Sequence, residues 1–565
     1  MKYQEIERSL YEKMAYGGRN MTKNRLKKRK IIAVLLLCIL AVSGCGKKQK
    51  AESDRESVLD FIDEKDKEKT TTEEKKDDKD EEGKKEESSA APCIEILGEY
   101  VENRYYEGSD LSLCNLTYNM ICGSGKDYPK LSSALDDWSM TREKELHDLL
   151  EEYANYALED EALLNQALEQ EYHCMYDITQ SLALTRSDSQ VVSIVEYSSD
   201  YFGGPHGNYW YQGINFDAKT GEILSISEVI KDKTGFYPAA NDYIAKKIEQ
   251  KAEQEDIGDL LWPDYTKIIE NMWNEEVSWY FDASGLTIVF NPYEIAAYAV
   301  GTFFITLPYS EFGTYFSDQY FNTSLEGVIK LQPEEVYSME TSEGTVDVKI
   351  SMQSEYEYGF NKVQVCVGEL ETEVGEFSYV ENAYILKRND NKVFLIITCD
   401  YMSNDYATYL YDITEGKVKL CDEMMNASIG GGNVNTDSVD LCVYLDVLGS
   451  YASRTAYTID RNGQFHQVQD LYQIGLGRSP HDSAVLTTIK ELPVILNGEA
   501  TVLPVGSRIT ITGTDNESVI TFYDLDTCLD GEIHYVRGDG GEDTWTIYIE
   551  GCPDYEYFEN LPYAG

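Results

Sequence analysis

The sequence predicts an α+β protein, in which a domain of mixed helices and strands precedes a β-rich domain and a small C-terminal β-barrel. Apolar residues recur every three to four positions through residues 131–170, which is the spacing of an amphipathic helix. Alternating, strand-like segments follow that run, and short strands separated by Asn, Asp and Gly continue after residue 325. A chain of 565 residues has room for several domains of this kind.

The first feature along the chain is a basic cluster, then a short apolar run, then a cysteine. Residues 21–30 are rich in Lys and Arg, residues 31–42 are almost wholly aliphatic, and a Ser-Gly pair precedes Cys45. This order is that of a secretory signal peptide, and the apolar run is shorter than the ~20 residues that span a bilayer as a helix.

The end of this run resembles a bacterial lipobox, which implies that the thiol of Cys45 is acylated and becomes the mature N-terminus. We therefore interpret residues 1–45 as a lipoprotein signal peptide. The alternative is a chance cysteine after an ordinary signal peptide. The lipoprotein interpretation predicts a membrane partner through the lipid anchor and a location at the outer face of the bacterial cytoplasmic membrane, facing the cell wall.

Two further expectations concern the N-terminal region. The segment Gly17–Asn20 reads like a translated ribosome-binding site, so we expect synthesis to start at Met21. Residues 46–92 are rich in Lys, Glu, Asp, Ser and Thr, and Phe61 is their single aromatic residue. Such a segment cannot bury enough apolar surface to fold. It predicts a disordered, charged linker with an r.m.s. reach of roughly 40 Å.

Residues 93–321 are predicted as the α+β domain, with a hairpin-type turn at Asp217–Gly221. Its expected elements are helices over 131–170, 237–252 and 265–273, and strands over 172–183, 190–201, 209–216, 279–281, 286–290 and 302–307.

Two motifs in this domain carry a family resemblance. The segment Tyr201–Tyr209 reads YFGGPHGNY, and Phe290–Gly301 reads FNPYEIAAYAVG. Together they resemble the extracellular domain of PdaC-type peptidoglycan deacetylases and of RsiV-type anti-sigma factors, which act as lysozyme receptors. The family more often has alanine where this chain has Pro205. Neither a polysaccharide-deacetylase domain nor a sigma-binding segment is visible in the sequence, so neither relative's effector function is carried over.

The resemblance and the motifs nominate a set of ligand-binding residues. For His206 the alternatives are a ligand contact or general base and a hydrogen bond that stabilises the bend. The flanking glycines are expected to supply positive backbone dihedrals. Glu294 either pairs with His206 across the two motifs or caps the turn into Ile295. The full set is Tyr201, Gly203, Gly204, His206, Gly207, Tyr293 and Glu294.

The two remaining domains are predicted to be all-β. Residues 325–494 form the β-rich domain, and a strand–turn–strand pattern recurs about 47 residues apart, at 411–420 and 457–466. This spacing is compatible with the blades of a propeller, but two copies cannot close one. A curved sheet or a sandwich is equally compatible with the pattern. Residues 495–565 suggest a small Src-homology-type β-barrel. The expected strands are 383–388, 393–400, 406–412, 417–422, 440–445, 455–460, 508–512, 518–523, 531–537 and 544–549.

Cysteines and histidines restrict the chemistry further. The chain has 12 cysteines, and an even number beyond Cys45 permits disulfides outside the cell. Spacing suggests Cys114–Cys122 and Cys528–Cys552 as local pairs. No CxxC pair occurs and histidines number six, so the sequence predicts no metal site and no cofactor. It also lacks a serine nucleophile elbow, HExxH and a phosphate-binding loop, and we assign no catalytic residue.

The net charge of −52 limits the partners. It argues against nucleic acid and against adsorption to anionic lipid headgroups, because both need a basic surface. We expect a non-enzymatic envelope protein that binds a peptidoglycan fragment or a cationic wall-active protein such as lysozyme. The alternatives are a peptidoglycan-modifying wall enzyme and an accessory sensor of envelope stress.

Overall fold

Helices and strands are interspersed through the first part of the chain and strands dominate the rest, so the fold is α+β as predicted. The computed structural model describes residues 90–124, 127–170, 172–204, 206–273, 277–321, 326–341, 344–354, 360–402, 405–429, 433–474, 484–538, 546–559 and 561–563. The predicted signal peptide, Cys45 and all of the predicted linker up to residue 89 lie outside these residues. Within them, no helix is long and apolar enough to cross a membrane.

The first part of the chain contains the described α-helices and the first eight strands. The α-helices are α1 (Pro129–Glu159), α2 (Glu161–Glu169), α3 (Ile226–Val229), α4 (Lys233–Gln254), α5 (Tyr265–Asn271), α6 (Tyr309–Phe312) and α7 (Asp318–Phe321). The strands are β1 (Cys93–Tyr105), β2 (Ser112–Ser124), β3 (Cys174–Asp188), β4 (Val191–Tyr201), β5 (Asn208–Asp217), β6 (Ser278–Phe281), β7 (Gly285–Phe290) and β8 (Phe303–Pro308).

The remainder is built of short strands. They are β9 (Gly327–Lys330), β10 (Val336–Thr341), β11 (Gly344–Ser354), β12 (Asn361–Val367), β13 (Leu370–Phe377), β14 (Tyr379–Lys387), β15 (Val393–Asp400), β16 (Tyr406–Asp412), β17 (Lys419–Met425), β18 (Ala427–Ser428), β19 (Ser438–Asp446), β20 (Ser450–Ile459), β21 (Phe465–Gln467), β22 (Tyr472–Ile474), β23 (Val485–Thr487), β24 (Leu492–Leu496), β25 (Glu499–Leu503), β26 (Arg508–Thr514), β27 (Val519–Asp524), β28 (Leu529–His534), β29 (Val536–Arg537), β30 (Ile547–Ile549) and β31 (Cys552–Pro553).

The predicted long helix is present as two helices. Helix α1 begins with Pro129 in its first turn, where a missing N–H costs nothing. It buries one stripe of side chains, including Leu135 and Leu150, against the sheet. The break falls at Asp160, whose side chain accepts a hydrogen bond from the Leu163 N–H and so caps α2. The helices connect β2 to β3, which pair in parallel.

A ten-stranded sheet carries β4 and β5 on a branch from β3, and its main path runs β1-β2-β3-β9-β14-β15-β16-β17. This sheet therefore contains strands from both sides of residues 321–325, where the sequence predicted the boundary between the α+β domain and the β-rich domain. The separate sheet β6-β7-β8 packs beside β5, where Gly213 is needed because a Cβ there would lie 1.8 Å from the Trp279 carbonyl oxygen. The predicted domain boundaries stay predictions.

The barrel predicted over 495–565 is not closed among the residues that the structure describes. Strands β24 to β28 instead belong to an eleven-stranded sheet whose main path runs β18-β19-β20-β22-β26-β27-β28-β24-β25, with β21 paired to β20 and β23 paired to β26 off that path. In a closed barrel both edges of β26 would pair with strands of the barrel. One of its edges instead pairs with β22, through Tyr472↔Thr514 and Gln473↔Gly513. Strands from before residue 495 thus complete this sheet.

The suggested local disulfides are absent, since neither Cys114 and Cys122 nor Cys528 and Cys552 are bonded to each other. The Cys114–Cys122 pairing was wrong because both residues lie on β2, eight positions apart. At about 3.3 Å per residue they are separated by roughly 26 Å, whereas bridged Cα atoms lie within about 7 Å. Cys528 and Cys552 are likewise unpaired with each other.

Candidate functional site

The glycine loop predicted as a ligand site joins β4 to β5 and folds back on itself. Gly203 and Gly204 have φ values of +90° and +104°, so the expected positive dihedrals are confirmed for these two glycines. The same expectation was wrong for Gly207, which has no positive φ. The Tyr201 hydroxyl donates to the Gly204 carbonyl oxygen at 3.1 Å. The loop is therefore a defined backbone turn in which glycine conformation is required.

A buried carboxylate anchors the base of this loop. Asp200, 8% exposed, accepts hydrogen bonds from the Tyr153 hydroxyl (3.1 Å) and the Asn208 side-chain amide (2.9 Å). Burial raises the pKa of Asp200, and the two hydrogen bonds partly oppose that rise. The Phe202 ring packs 5.4 Å from that of Tyr153. The start of the loop is thus held to helix α1, and Asn208 ties the end of the loop to its start.

The second motif is tied to β5 by one asparagine. The Asn291 side chain accepts from the Tyr211 N–H at 2.6 Å and donates to the Tyr211 carbonyl at 3.0 Å. Its own N–H donates to Glu294 Oε2 at 2.9 Å, so Glu294 caps this turn, as one of the two sequence interpretations held. Tyr293 adopts φ +70°, and its carbonyl accepts from the Trp262 indole.

These connections bring the two motifs together, and their rings form what we call the aromatic surface. The His206 imidazole stacks on Tyr298 with 4.0 Å between ring centroids and 17° between planes. The Tyr298 hydroxyl donates to the Gly207 carbonyl at 2.8 Å. The aromatic surface comprises Tyr197, His206, Tyr209, Tyr211, Tyr293, Tyr298 and Phe304.

Neighbouring rings of the aromatic surface lie close enough to interact. Tyr298 has centroid distances of 5.5 Å to Tyr293 and 5.7 Å to Tyr209. Tyr211 lies 5.0 Å from both Tyr197 and Phe304. Burial raises the pKa of Tyr211 and of Tyr298, so both hydroxyls stay protonated at neutral pH.

The aromatic surface remains accessible. His206 is exposed and Phe304 is 45% exposed, while the tyrosines are half-buried. The rings of the surface lie at angles to one another that run from 17° for His206 and Tyr298 to 85° for Tyr209 and Tyr211. Such a surface offers apolar ring area together with tyrosine hydroxyl groups, which suits a ligand that has both apolar and polar parts. Among the described residues, no group of three His, Cys, Asp or Glu side chains is arranged to hold a metal ion.

Sequence reasoning found part of this site. The structure brings Tyr201, Gly203, Gly204, His206, Gly207, Tyr293 and Glu294 onto the loop and the adjoining turn. To the predicted set it adds five aromatic residues, Tyr197, Tyr209, Tyr211, Tyr298 and Phe304. The signal for Tyr211 was its two-residue spacing from Tyr209 on one face of a strand, but nothing local indicated that β8 would supply Phe304.

Comparisons with known proteins place this region in context. Residues 227–310 match a family model described as a protein of unknown function, DUF3298. The match includes the second motif and begins after the glycine loop, which it does not cover. No curated protein matches the chain.

Two solved structures of the DUF3298 family are similar to the chain. A member from Bacteroides fragilis is 17% identical, with a TM-score of 0.33, over 41% of this chain and 96% of that one. A member from Pseudomonas aeruginosa is 15% identical, with a TM-score of 0.28, over 41% of this chain and 98% of that one.

Proposed function

We propose that the chain is an exported lipoprotein, anchored through Cys45, that binds a ligand of the cell wall without chemical turnover. The anchor rests on the order of basic cluster, apolar run and cysteine at residues 21–45. The finer assignment to a PdaC/RsiV-like extracellular domain is part of this proposal. It is supported by the two motifs and by the DUF3298 match at residues 227–310.

The observation that carries the binding function is the aromatic surface. Sugar rings present a flat patch of C–H groups rimmed by hydroxyls, and aromatic rings with polar tips complement such a patch. Stacking of His206 on Tyr298 gives the surface a fixed shape before any ligand arrives, and a preformed site loses less entropy on binding. A peptidoglycan glycan strand is the ligand that we favour.

The alternative of a wall enzyme assigns His206 and Glu294 as the acid and base. This alternative has weaker support, because Glu294 and His206 each contact other groups of the protein. Glu294 accepts from the Asn291 N–H, and His206 Nδ1 lies 2.9 Å from the Gly207 carbonyl while its ring stacks on Tyr298. An acid–base pair needs both groups directed at one bond of a substrate.

A second candidate ligand is a cationic wall-active protein such as lysozyme. The supporting observation is the net charge of −52, which attracts positively charged proteins over long range. The aromatic surface would then receive Lys or Arg side chains, which are attracted to ring faces.

Cosedimentation of the full chain, in detergent micelles, with insoluble peptidoglycan tests the favoured function. We expect Tyr298→Ala to weaken binding about five- to tenfold, since ring contacts are worth about 1–1.5 kcal/mol. Tyr105→Ala, on a 60% exposed tyrosine of β1, is the matched control and should bind as the wild type. Equal binding by both variants would refute the aromatic surface. Release of soluble sugar or acetate by wild type, and not by His206→Ala, would support the enzyme.

A further inference from the structure

A second concavity lies beside β5 and is lined by consecutive residues of that strand. Tyr211 belongs to the aromatic surface, and the next residue, Gln212, lines this groove. The groove has a volume of about 170 Å³. Its main side chains come from helix α1, strands β5 and β6, and the turn before α3, and are Trp138, Gln212, Ile223, Ser225, Val277 and Trp279. We call it the two-tryptophan groove.

The groove is lined by a donor without a protein acceptor. The Trp279 indole N–H donates to no residue that the structure describes. Trp279 as a whole is 4% exposed, but its indole nitrogen keeps access to solvent. A ligand acceptor in the groove would pair with this donor.

An acceptor and apolar walls accompany that donor. The Gln212 side-chain amide donates to the Gly213 carbonyl at 3.0 Å, which leaves its carbonyl oxygen as the group available to accept. Ser225 already donates to Glu228 at 2.9 Å and so contributes mainly shape. Ile223, 57% exposed, and Val277 provide aliphatic contact at the rim.

From these groups we propose that the two-tryptophan groove binds the acetamido group of an N-acetylated amino sugar. The ligand carbonyl accepts from the Trp279 indole, the ligand N–H donates to the Gln212 carbonyl, and the methyl group meets the apolar wall. A cavity of about 150 Å³ accepts a six-membered ring, so 170 Å³ admits the acetamido group with part of its sugar. A wall-derived ligand is chosen because of the proposed function, on which this inference rests.

Fluorine NMR of the full chain labelled with 5-fluorotryptophan tests the groove directly. The chain has six tryptophans, and Trp138→Phe and Trp279→Phe assign the two resonances of interest. We expect N-acetylglucosamine to shift both resonances saturably and glucose to leave them unchanged. Gln212→Leu should weaken the titration about tenfold, because the ligand N–H loses its acceptor. Gln254→Leu, at an exposed glutamine of α4, is the control.

The outcomes separate this inference from the proposed function. Equal shifts with glucose, or a titration that Gln212→Leu leaves unchanged, would overturn the groove as an acetamido site. If wild type binds insoluble peptidoglycan and Tyr298→Ala does not, while N-acetylglucosamine moves neither resonance, the groove fails and the aromatic surface stands. If the resonances shift and the full chain ignores peptidoglycan, the groove stands and the proposed function fails.

Discussion

At the scale of single residues, the glycine loop shows how backbone conformation limits substitution. Nothing lies within 4 Å of the position that a Gly204 Cβ would take, so the cost of a side chain there is conformational and not steric. The φ of +104° is one that β-branched residues almost never adopt. The positive φ could be predicted from sequence because two consecutive glycines in a short loop have few other uses.

We predict that Gly204→Val lowers the free energy of unfolding by about 1–3 kcal/mol. His206→Ala should cost less, about 0.5–1.5 kcal/mol, because it removes one stacked ring and leaves the backbone relaxed. Urea unfolding measures both. Gly258→Val is the matched control, since that glycine also has open space around it but no positive φ. An equal loss in the two valine variants would contradict the argument.

Another residue-scale feature is a pair of carboxyl groups where the β6–β7 turn meets the segment before β10. Glu335 accepts from the Ser284 hydroxyl at 2.9 Å and the Gln332 N–H at 2.9 Å. Asp282 accepts from the Ser284 and Gly285 N–H groups. Burial, and then the nearby Asp282, raise the pKa of Glu335 well above its usual range, and Tyr280 faces the same pair.

The raised pKa of Glu335 predicts a specific pH dependence. The folded protein keeps a proton that the unfolded chain releases near pH 4.3, so stability falls as pH rises from there through the raised folded pKa. Glu335→Gln should remove this dependence. Above the raised folded pKa, its free energy of unfolding should increase relative to that of wild type by about 1.4 kcal/mol for each pKa unit of the shift. Urea unfolding between pH 4 and 9 measures it.

The control for this pH series is Glu369→Gln, which replaces an exposed glutamate in the β12–β13 turn. Its stability should run parallel to wild type at every pH. If the Glu335→Gln curve is also parallel, the carboxyl pair does not hold a proton in the folded state.

At the scale of elements, Asn291 substitutes for a neighbouring strand at the edge of β5. Its side chain occupies the N–H and the carbonyl of Tyr211 in the way that a paired strand would. We predict that Asn291→Ala lowers the free energy of unfolding by about 1–3 kcal/mol, because it leaves the Tyr211 N–H without a partner and the Tyr211 carbonyl with the Ser278 hydroxyl alone. Amide hydrogen exchange at Tyr211 should accelerate.

The comparison variant is Asn271→Ala, at the exposed end of α5, where the side chain contacts one carbonyl of its own helix. It should change stability by less than about 0.5 kcal/mol and leave exchange at Tyr211 unaltered. Unchanged exchange in Asn291→Ala as well would show that β5 is held by its other contacts.

Elements with a clear periodicity were predictable, and those without one were not. Strands β15 and β16 have the predicted bounds because their apolar runs end at turn residues. Strand β1 was not predicted, since acidic residues and a register shift between Leu97 and Tyr100 blur its alternation, and β2, with which it pairs, was not predicted either. Closure of the C-terminal strands depends on which distant strand takes the edge of β26, and that pairing has no local signal.

At the scale of the whole molecule, the net negative charge and the aromatic surface are two separate contributions to ligand binding. The 101 acidic and 49 basic residues give a field that attracts cations from any direction. The aromatic surface is local, and its parts come from β4, β5, β8 and the turn after β7. The net charge behind this field follows from composition and needs no knowledge of the fold. The stacking of His206 on Tyr298 needed the packing of these elements and could not be read from either motif alone.

These two sources predict different responses to salt if the ligand is a cationic protein such as lysozyme. Charges are screened within about 8 Å at physiological ionic strength, so the association rate with the full chain should fall at least tenfold from low salt. The dissociation rate should change little, since it depends on close contacts. Tyr298→Ala should raise the dissociation rate several-fold, and Tyr105→Ala should not. Surface plasmon resonance measures both rates. Binding that vanishes at physiological salt, or that Tyr298→Ala leaves unchanged, would mean that charge alone attracts the protein and that the aromatic surface serves another ligand.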